Sequence, residues 1–197
     1  MGLILASQSA ARRAMLEAAG VPFEAMAAGV DEDAAKASLL AEGVSPRDLA
    51  DALAELKSLK LSQRFPEHLV LGCDQVAELA GMVFDKPESR EAAADQLRRL
   101  RGKRHRQISA AVISAGGAPV WRHVDVAHLT VRDFSDVWLE RYLDAEWPAI
   151  GGCAGGYRLE ERGAQLFSKI EGSHFTILGL PLLPLLAYLR ERGVIGT

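Results

Sequence analysis

The sequence predicts an α/β fold built on a mixed sheet with flanking helices. Short apolar runs alternate with amphipathic helical stretches over most of the chain. One β-hairpin breaks that alternation in the third quarter, which makes the sheet mixed rather than wholly parallel. No internal repeat or low-complexity linker divides the 197 residues, so one domain spans 1–197.

Each element has a local reason. Residues 3–6 read as a short buried strand, followed by a helix over 9–19 that Gly20 ends. Residues 21–25 form a second strand. "VDEDAAKASLLAEG" starts acidic, continues as a helix, and stops at Gly43. "SPRDLADALAELKSLKLSQRF" is a longer helix, with Pro46 in its first turn and Leu49, Leu53, Leu56 and Leu59 at helical spacing. "HLVLGCDQVAEL" is the clearest strand: residues 69–71 are apolar and Gly72 opens a polar break. That places Asp74 at the strand's C-terminal end, where α/β sheets usually carry their sites. A helix follows over 88–100. "RQISAAVISAGG" is a strand that turns at Gly116 and Gly117, and 120–131 is its hairpin partner, with Val124, Val126 and Leu129. "SDVWLERYLDAE" is a capped helix and "LLPLLAYLRERG" the last one.

Bulk properties exclude several classes. The net charge of −3 argues against non-specific nucleic-acid binding, which needs a basic surface, but leaves room for a local anion pocket. "MGLILAS" lacks a basic leader, and "FTILGLPLLPLLAYL" holds two prolines and is too short to span a bilayer. No membrane association is expected. Cys73 and Cys153 form no CxxC, so neither a zinc site nor a disulfide framework is indicated. A cytoplasmic protein is the expectation. P-loop, GxGxxG and GxSxG motifs are absent, which removes support for a P-loop ATPase, a dinucleotide dehydrogenase or a nucleophile-elbow hydrolase. His123 and His128 would face opposite sides of a strand and are read as surface residues.

The remaining chemistry sits at element ends. In "LILASQSAARR", Ser7, Ser9, Arg12 and Arg13 stand where a strand meets a helix. Free N–H groups and the helix dipole favour an anion there, although a simple serine cap with solvated arginines explains the same residues. Asp74 can bind a divalent metal or orient a water, or be an ordinary turn residue. Pro87 holds Lys86 extended, so its ammonium is aimed. "RGKRH" is a cationic loop, Asp31 and Glu32 complement a helix dipole, and "GGCAGGY" lets backbone approach a ligand. Taken together, Arg12, Arg13, Lys57 and Lys86 supply cations, and Glu32 and Asp74 supply carboxylates. Both signs are what a metal-assisted phosphate reaction requires.

These motifs resemble the Maf family of nucleoside triphosphate pyrophosphatases, first described as septum-formation inhibitors. The family opening apolar-Ala-Ser-x-Ser-Pro-x-Arg-Arg is similar to "LILASQSAARR". "GCDQVAELAGMVFDKP" resembles the central G-[AS]-D-[TQ]-V…K-P motif, and "LRGKRHRQISAAV" the L-x-G-K-x-H-x-x-x-T segment. "CAGGYRLEERGAQLFSKIEGSHFTILGLPL" resembles the C-terminal A-G-[GS]-[YF]…I-E-G…G-L-P-L signature. The resemblance implies a two-lobed fold like that of inosine triphosphate pyrophosphatases, with a central cleft. It also implies cleavage of a nucleoside triphosphate to the monophosphate and pyrophosphate, dependent on Mg²⁺ or Mn²⁺. Asp74 would accept the proton of the attacking water, and Glu32 with Asp74 would hold the metal. Lys86 would serve both catalysis and phosphate binding, and Ser7, Arg12, Arg13 and Lys57 would bind the triphosphate. Relatives often dimerise, which makes the last helix and the glycine-rich loop the expected homodimer contacts.

Three positions track base preference in the family: Ala11, Gln75 and Glu160 here. Gln75 and Glu160 resemble the branch that acts on 7-methyl-GTP; Arg, Thr and Gln would mark dTTP and UTP enzymes. A carboxylate at Glu160 suits the two donors of a guanine edge. The chain departs from the pattern at Ala10 (usually Pro), Ala11 (usually aromatic), Asp85 (usually Gly) and Ser109 (usually Thr). Asp85 is expected to ligate metal or blunt Lys86. A weakly active nucleotide-binding regulator of cell division and a sugar-nucleotide transferase are the rival readings.

Overall fold

The computed structural model describes residues 2–196. Along the chain run β1 (Leu3–Leu5), α1 (Ala10–Ala18), β2 (Glu24–Ala25), α2 (Glu32–Ala41), α3 (Pro46–Ser62), β3 (Leu69–Leu79) and β4 (Met82–Phe84). Then come α4 (Arg90–Leu100), β5 (Arg104–Ala115), β6 (Ala118–Val131), α5 (Asp136–Glu146), β7 (Phe167–Glu171), α6 (His174–Ile177) and α7 (Leu182–Glu191). Five helices start at a side-chain cap: Ser9, Asp31, Ser45, Ser89 and Ser135 each accept a backbone N–H three residues on.

The strands form one mixed seven-stranded sheet ordered β2-β1-β3-β5-β6-β7, with β4 paired to β3. β1 lies parallel to both β2 and β3, whereas β3, β5, β6 and β7 run antiparallel in turn. Both faces are covered. α3 lies across one face, where Leu49, Leu53 and Ala54 meet Val76, Ile108 and Val112. The other face carries two separate cores. One joins α1 and α7 to Leu71, Ala111 and Ile113; the second joins α4 and α5 to Ala77, Ala127 and Leu129. No helix of the described residues is long and apolar enough to cross a membrane.

Two expectations need correction. Gly72 does not break β3, because β5 pairs with it residue for residue from Val70 to Glu78. Asp74 therefore sits inside a long strand, not at its end. Gly72 serves packing instead: a Cβ there would lie 2.0 Å from the Ala54 carbonyl oxygen, so only glycine lets α3 approach this closely. The second strand shrinks from 21–25 to Glu24–Ala25, because Val21 is drawn into the α1 and α7 core. β4, β7 and α6 are elements the sequence pattern leaves unannounced. β7 is a mostly exposed edge strand with no clean alternation, and α6 spans a single turn.

Gly72→Ala is expected to cost about 3 kcal/mol or more in urea unfolding, from overpacking against α3. A loss below about 0.5 kcal/mol, the range of an ordinary surface change, would contradict the close approach.

Candidate active site at a split strand edge

On one edge, β3 has two partners at different levels. β1 pairs along Leu69–Leu71 and β4 along Ala77–Leu79, which leaves the segment between without a strand neighbour. Side chains take up the exposed backbone. The Cys73 carbonyl oxygen accepts from Arg12 Nη1 at 3.0 Å and from Lys57 Nζ at 3.4 Å. Beneath it, the Cys73 thiol is fully buried and pushed up to about 11 by desolvation, so it is inert as a nucleophile.

Lys57 is the hub. It lies on α3 one residue before Ser58, whose backbone packs against Gly72, so its ammonium reaches the Asp74 level of β3. Its side chain is only 6% exposed, and a buried ammonium needs anionic partners. It has two: Asp74 Oδ1 and Glu32 Oε2, each at 2.7 Å. The second oxygens, Asp74 Oδ2 and Glu32 Oε1, meet no donor among the hydrogen bonds and ion pairs of the described residues. Two carboxylates from different elements thus converge with one oxygen each to spare. No group of three His, Cys, Asp or Glu side chains gathers among the described residues. The donor set fits a hard divalent cation that takes one or two protein carboxylates and completes its shell with phosphate and water oxygens.

The opening loop divides its serines between two jobs. Ser9 caps α1, and Ser7 Oγ accepts from the Ser9 N–H at 3.2 Å and from Arg12 Nη1 at 3.3 Å. Arg12 is buried, and its Nε also donates to the Gly179 carbonyl oxygen at 2.8 Å. It therefore ties the first loop to β3 and to the segment after α6. Arg13 is exposed and, with Ser7, Gln8 and Met26, lines an open hollow of about 410 Å³.

Gln75 points to the opposite face of β3 from Asp74. Its Nε2 donates to the carbonyl oxygens of Thr176 (3.2 Å) and Ile177 (2.7 Å). Ser109 and Asp125 continue the same row across β5 and β6, since Gln75 pairs with Ser109 and Ser109 with Asp125. Ser109 Oγ donates to the Thr176 carbonyl oxygen at 2.7 Å, and Thr176 Oγ1 donates to Asp125 Oδ2. This polar row separates the two apolar cores on that face and clamps α6 between them. Sequence reasoning missed Asp125 and Thr176. A carboxylate between Val124 and Val126 was the available signal, but its partner lies 51 residues away.

The chain belongs to the Maf family. The family model described as Maf-like protein matches residues 2–192. A "Nucleoside triphosphate pyrophosphatase" of Ruegeria pomeroyi is 51% identical, with 99% of this chain and 98% of that protein covered. One of the same name from Caulobacter vibrioides is 53% identical over 97% of this chain and 96% of its own length. Another from Rhodospirillum rubrum is 49% identical, with 98% and 96% covered.

In this Maf chain, Lys86 and Glu160 are exposed. Asp85 does not turn to Lys86; its carboxylate pairs with Lys36 on α2. The glycine-rich loop is pinned from below. Tyr157 OH meets His105 Nε2 at 2.6 Å and accepts from Gln107 Nε2 at 2.8 Å. Burial pushes the His105 imidazole down to about 4. Desolvation likewise raises the Tyr157 phenol and the Cys153 thiol.

His105 carries a pH signature. Its folded value lies below the ordinary 6.5, so the unfolded chain takes up the proton first as pH falls. Its effect on stability is constant above about pH 6.5, and stability declines towards about pH 4. Wild type is expected to lose roughly 2 kcal/mol more than His105→Gln between pH 7 and pH 4.5 in urea titrations. Equal acid limbs for the two proteins would show that the imidazole is not held neutral.

Proposed function

We propose that this protein hydrolyses a nucleoside triphosphate to the monophosphate and pyrophosphate at the split edge of β3. The observation that carries the reading is the Glu32–Lys57–Asp74 constellation, two carboxylates joined by one buried ammonium beside a cationic loop. The names of the relatives support the same activity.

In this reading the split edge is the central cleft of a two-lobed domain, and the triphosphate lies along it. Asp74 accepts the proton of the attacking water, with Lys57 fixing the carboxylate at Oδ1 and leaving Oδ2 to face the water. Ser7, Arg12, Arg13, Lys57 and Lys86 surround the phosphates with donors and positive charge, and Arg12 also keeps the loop in place. Glu32 and Asp74 would hold Mg²⁺ or Mn²⁺, which when bound offsets charge gathering on the departing pyrophosphate.

For the base, the proposal is a guanine-type nucleotide, 7-methyl-GTP above all. Glu160 is exposed and free of ion pairs among the described residues, so it can accept from a guanine edge and favour a cationic base. Ala11 leaves room where an aromatic residue would stack. Gln75 shapes that end through the α6 carbonyls that it already holds.

The test is pyrophosphate release from 7-methyl-GTP, GTP, dTTP, UTP and CTP with Mg²⁺ or Mn²⁺, alongside Asp74→Asn and chelator controls. Selective turnover of 7-methyl-GTP is expected, lost with chelator and falling about 10²- to 10⁴-fold in Asp74→Asn. Preference for dTTP or UTP would overturn the base assignment and keep the chemistry. Binding without turnover of any nucleotide would make the protein a nucleotide-binding regulator.

A further inference from the structure

Helix α2 carries Glu32 into the site, yet it buries none of its own residues and packs chiefly on α3. Side-chain ties compensate. Lys60 donates to the Gly29 carbonyl oxygen in the loop that enters α2, and Lys57 pairs with Glu32 in its first turn. Both of these reach from α3. The third tie is different, because Lys36 pairs with Asp85 on the far side of the split edge.

The two ends of that tie differ in how firmly they are held. Asp85 directly follows β4, which pairs with β3 at the upper end of the gap. Its backbone is fixed, since its carbonyl oxygen accepts from Gln96 Nε2 on α4 at 2.9 Å and the nearby Pro87 is buried. Lys36 stands on the loosely packed helix. Glu32 and Lys36 are one helical turn apart on the same face of α2, and Asp85 is the immediate neighbour of Lys86. A pair between Lys36 and Asp85 therefore fixes the distance between the segments that carry Glu32 and Lys86.

We propose that Lys36 and Asp85 are positioning residues: their ion pair straps α2 across the split edge and holds Glu32 opposite Lys86. Neither residue touches the substrate. The effect on turnover rests on the proposed function, whereas the strap itself does not. The Lys36 side chain is 20% exposed and that of Asp85 69%, so salt screens the pair and its contribution is modest. The strap also accounts for an acid at position 85: it anchors α2 and leaves the Lys86 ammonium free.

The experiment compares full-length wild type with Lys36→Met, Asp85→Asn, the double variant and Lys36→Arg. Hydrogen exchange without nucleotide is read over residues 32–41 and, as an internal reference, over α3. Exchange in α2 is expected to quicken about two- to five-fold in each single neutral variant, with α3 unchanged. The double variant should be no faster than either single one, and Lys36→Arg should behave as wild type. With the nucleotide that wild type turns over fastest, kcat/KM should fall by a similar factor with the same non-additivity, and 0.5 M salt should erase the difference.

Unchanged exchange in Asp85→Asn, or effects that add in the double variant, would overturn the strap. A kinetic loss in Lys36→Met alone would overturn it too, making Lys36 a direct phosphate ligand. Strap-dependent exchange in a protein that hydrolyses no nucleotide would support the strap and overturn the proposed function.

Discussion

The Lys57 ammonium sits almost out of solvent between Asp74 and Glu32, and the site depends on that arrangement. A single buried cation is unfavourable, and so is a pair of facing carboxylates. Each resolves the other. One carboxylate comes from the middle of β3 and the other from the first turn of α2, so their shared partner also joins sheet to helix. The close approach at Gly72 makes this possible, since any side chain there would lift α3 and withdraw Lys57.

The same strand serves two faces. Asp74 turns towards α3, and Gln75 turns towards α6 with its amide donors engaged on backbone carbonyls. Across β5 and β6, Ser109 and Asp125 extend that hold to Thr176. Two apolar cores therefore meet at a polar seam where hydrogen bonds, rather than greasy packing, set the position of the segment that reaches Gly179. Arg12 closes the circuit from Gly179 to Cys73 and Ser7. Directional bonds suit this place because they fix orientation as well as distance.

Elements with local signals were legible. Capping residues announced α1 and α5, an acidic start announced α2, Pro46 with spaced leucines announced α3, and glycine turns announced the hairpin. Asp74 and Glu32 were legible as candidates only in company. Each alone reads as a turn residue or a helix-start acid, whereas carboxylates and cations together at element ends suit a phosphate reaction. Failures came where a distant partner decides the outcome. Gly72 and Asp74 look like a break until β5 pairs through them. Asp85 was read against its neighbour Lys86, yet successive side chains in extended chain diverge, and its partner lies 49 residues earlier. Arg12 was read as a phosphate ligand or a solvated arginine, and neither reading includes its structural ties. Its ties to Gly179 and Cys73 exist only once three distant segments meet.

In the proposed hydrolysis Asp74 directs the attacking water to the α-phosphorus of a nucleotide lying along the split edge, and pyrophosphate leaves. The most direct measurement is hydrolysis in ¹⁸O-labelled water with mass analysis of both products. One ¹⁸O in the nucleoside monophosphate, with unlabelled pyrophosphate, is the expected result. Label in the pyrophosphate would place the attack on the β-phosphorus, and release of labelled orthophosphate would place it on the γ-phosphorus; either would contradict attack at the α-phosphorus.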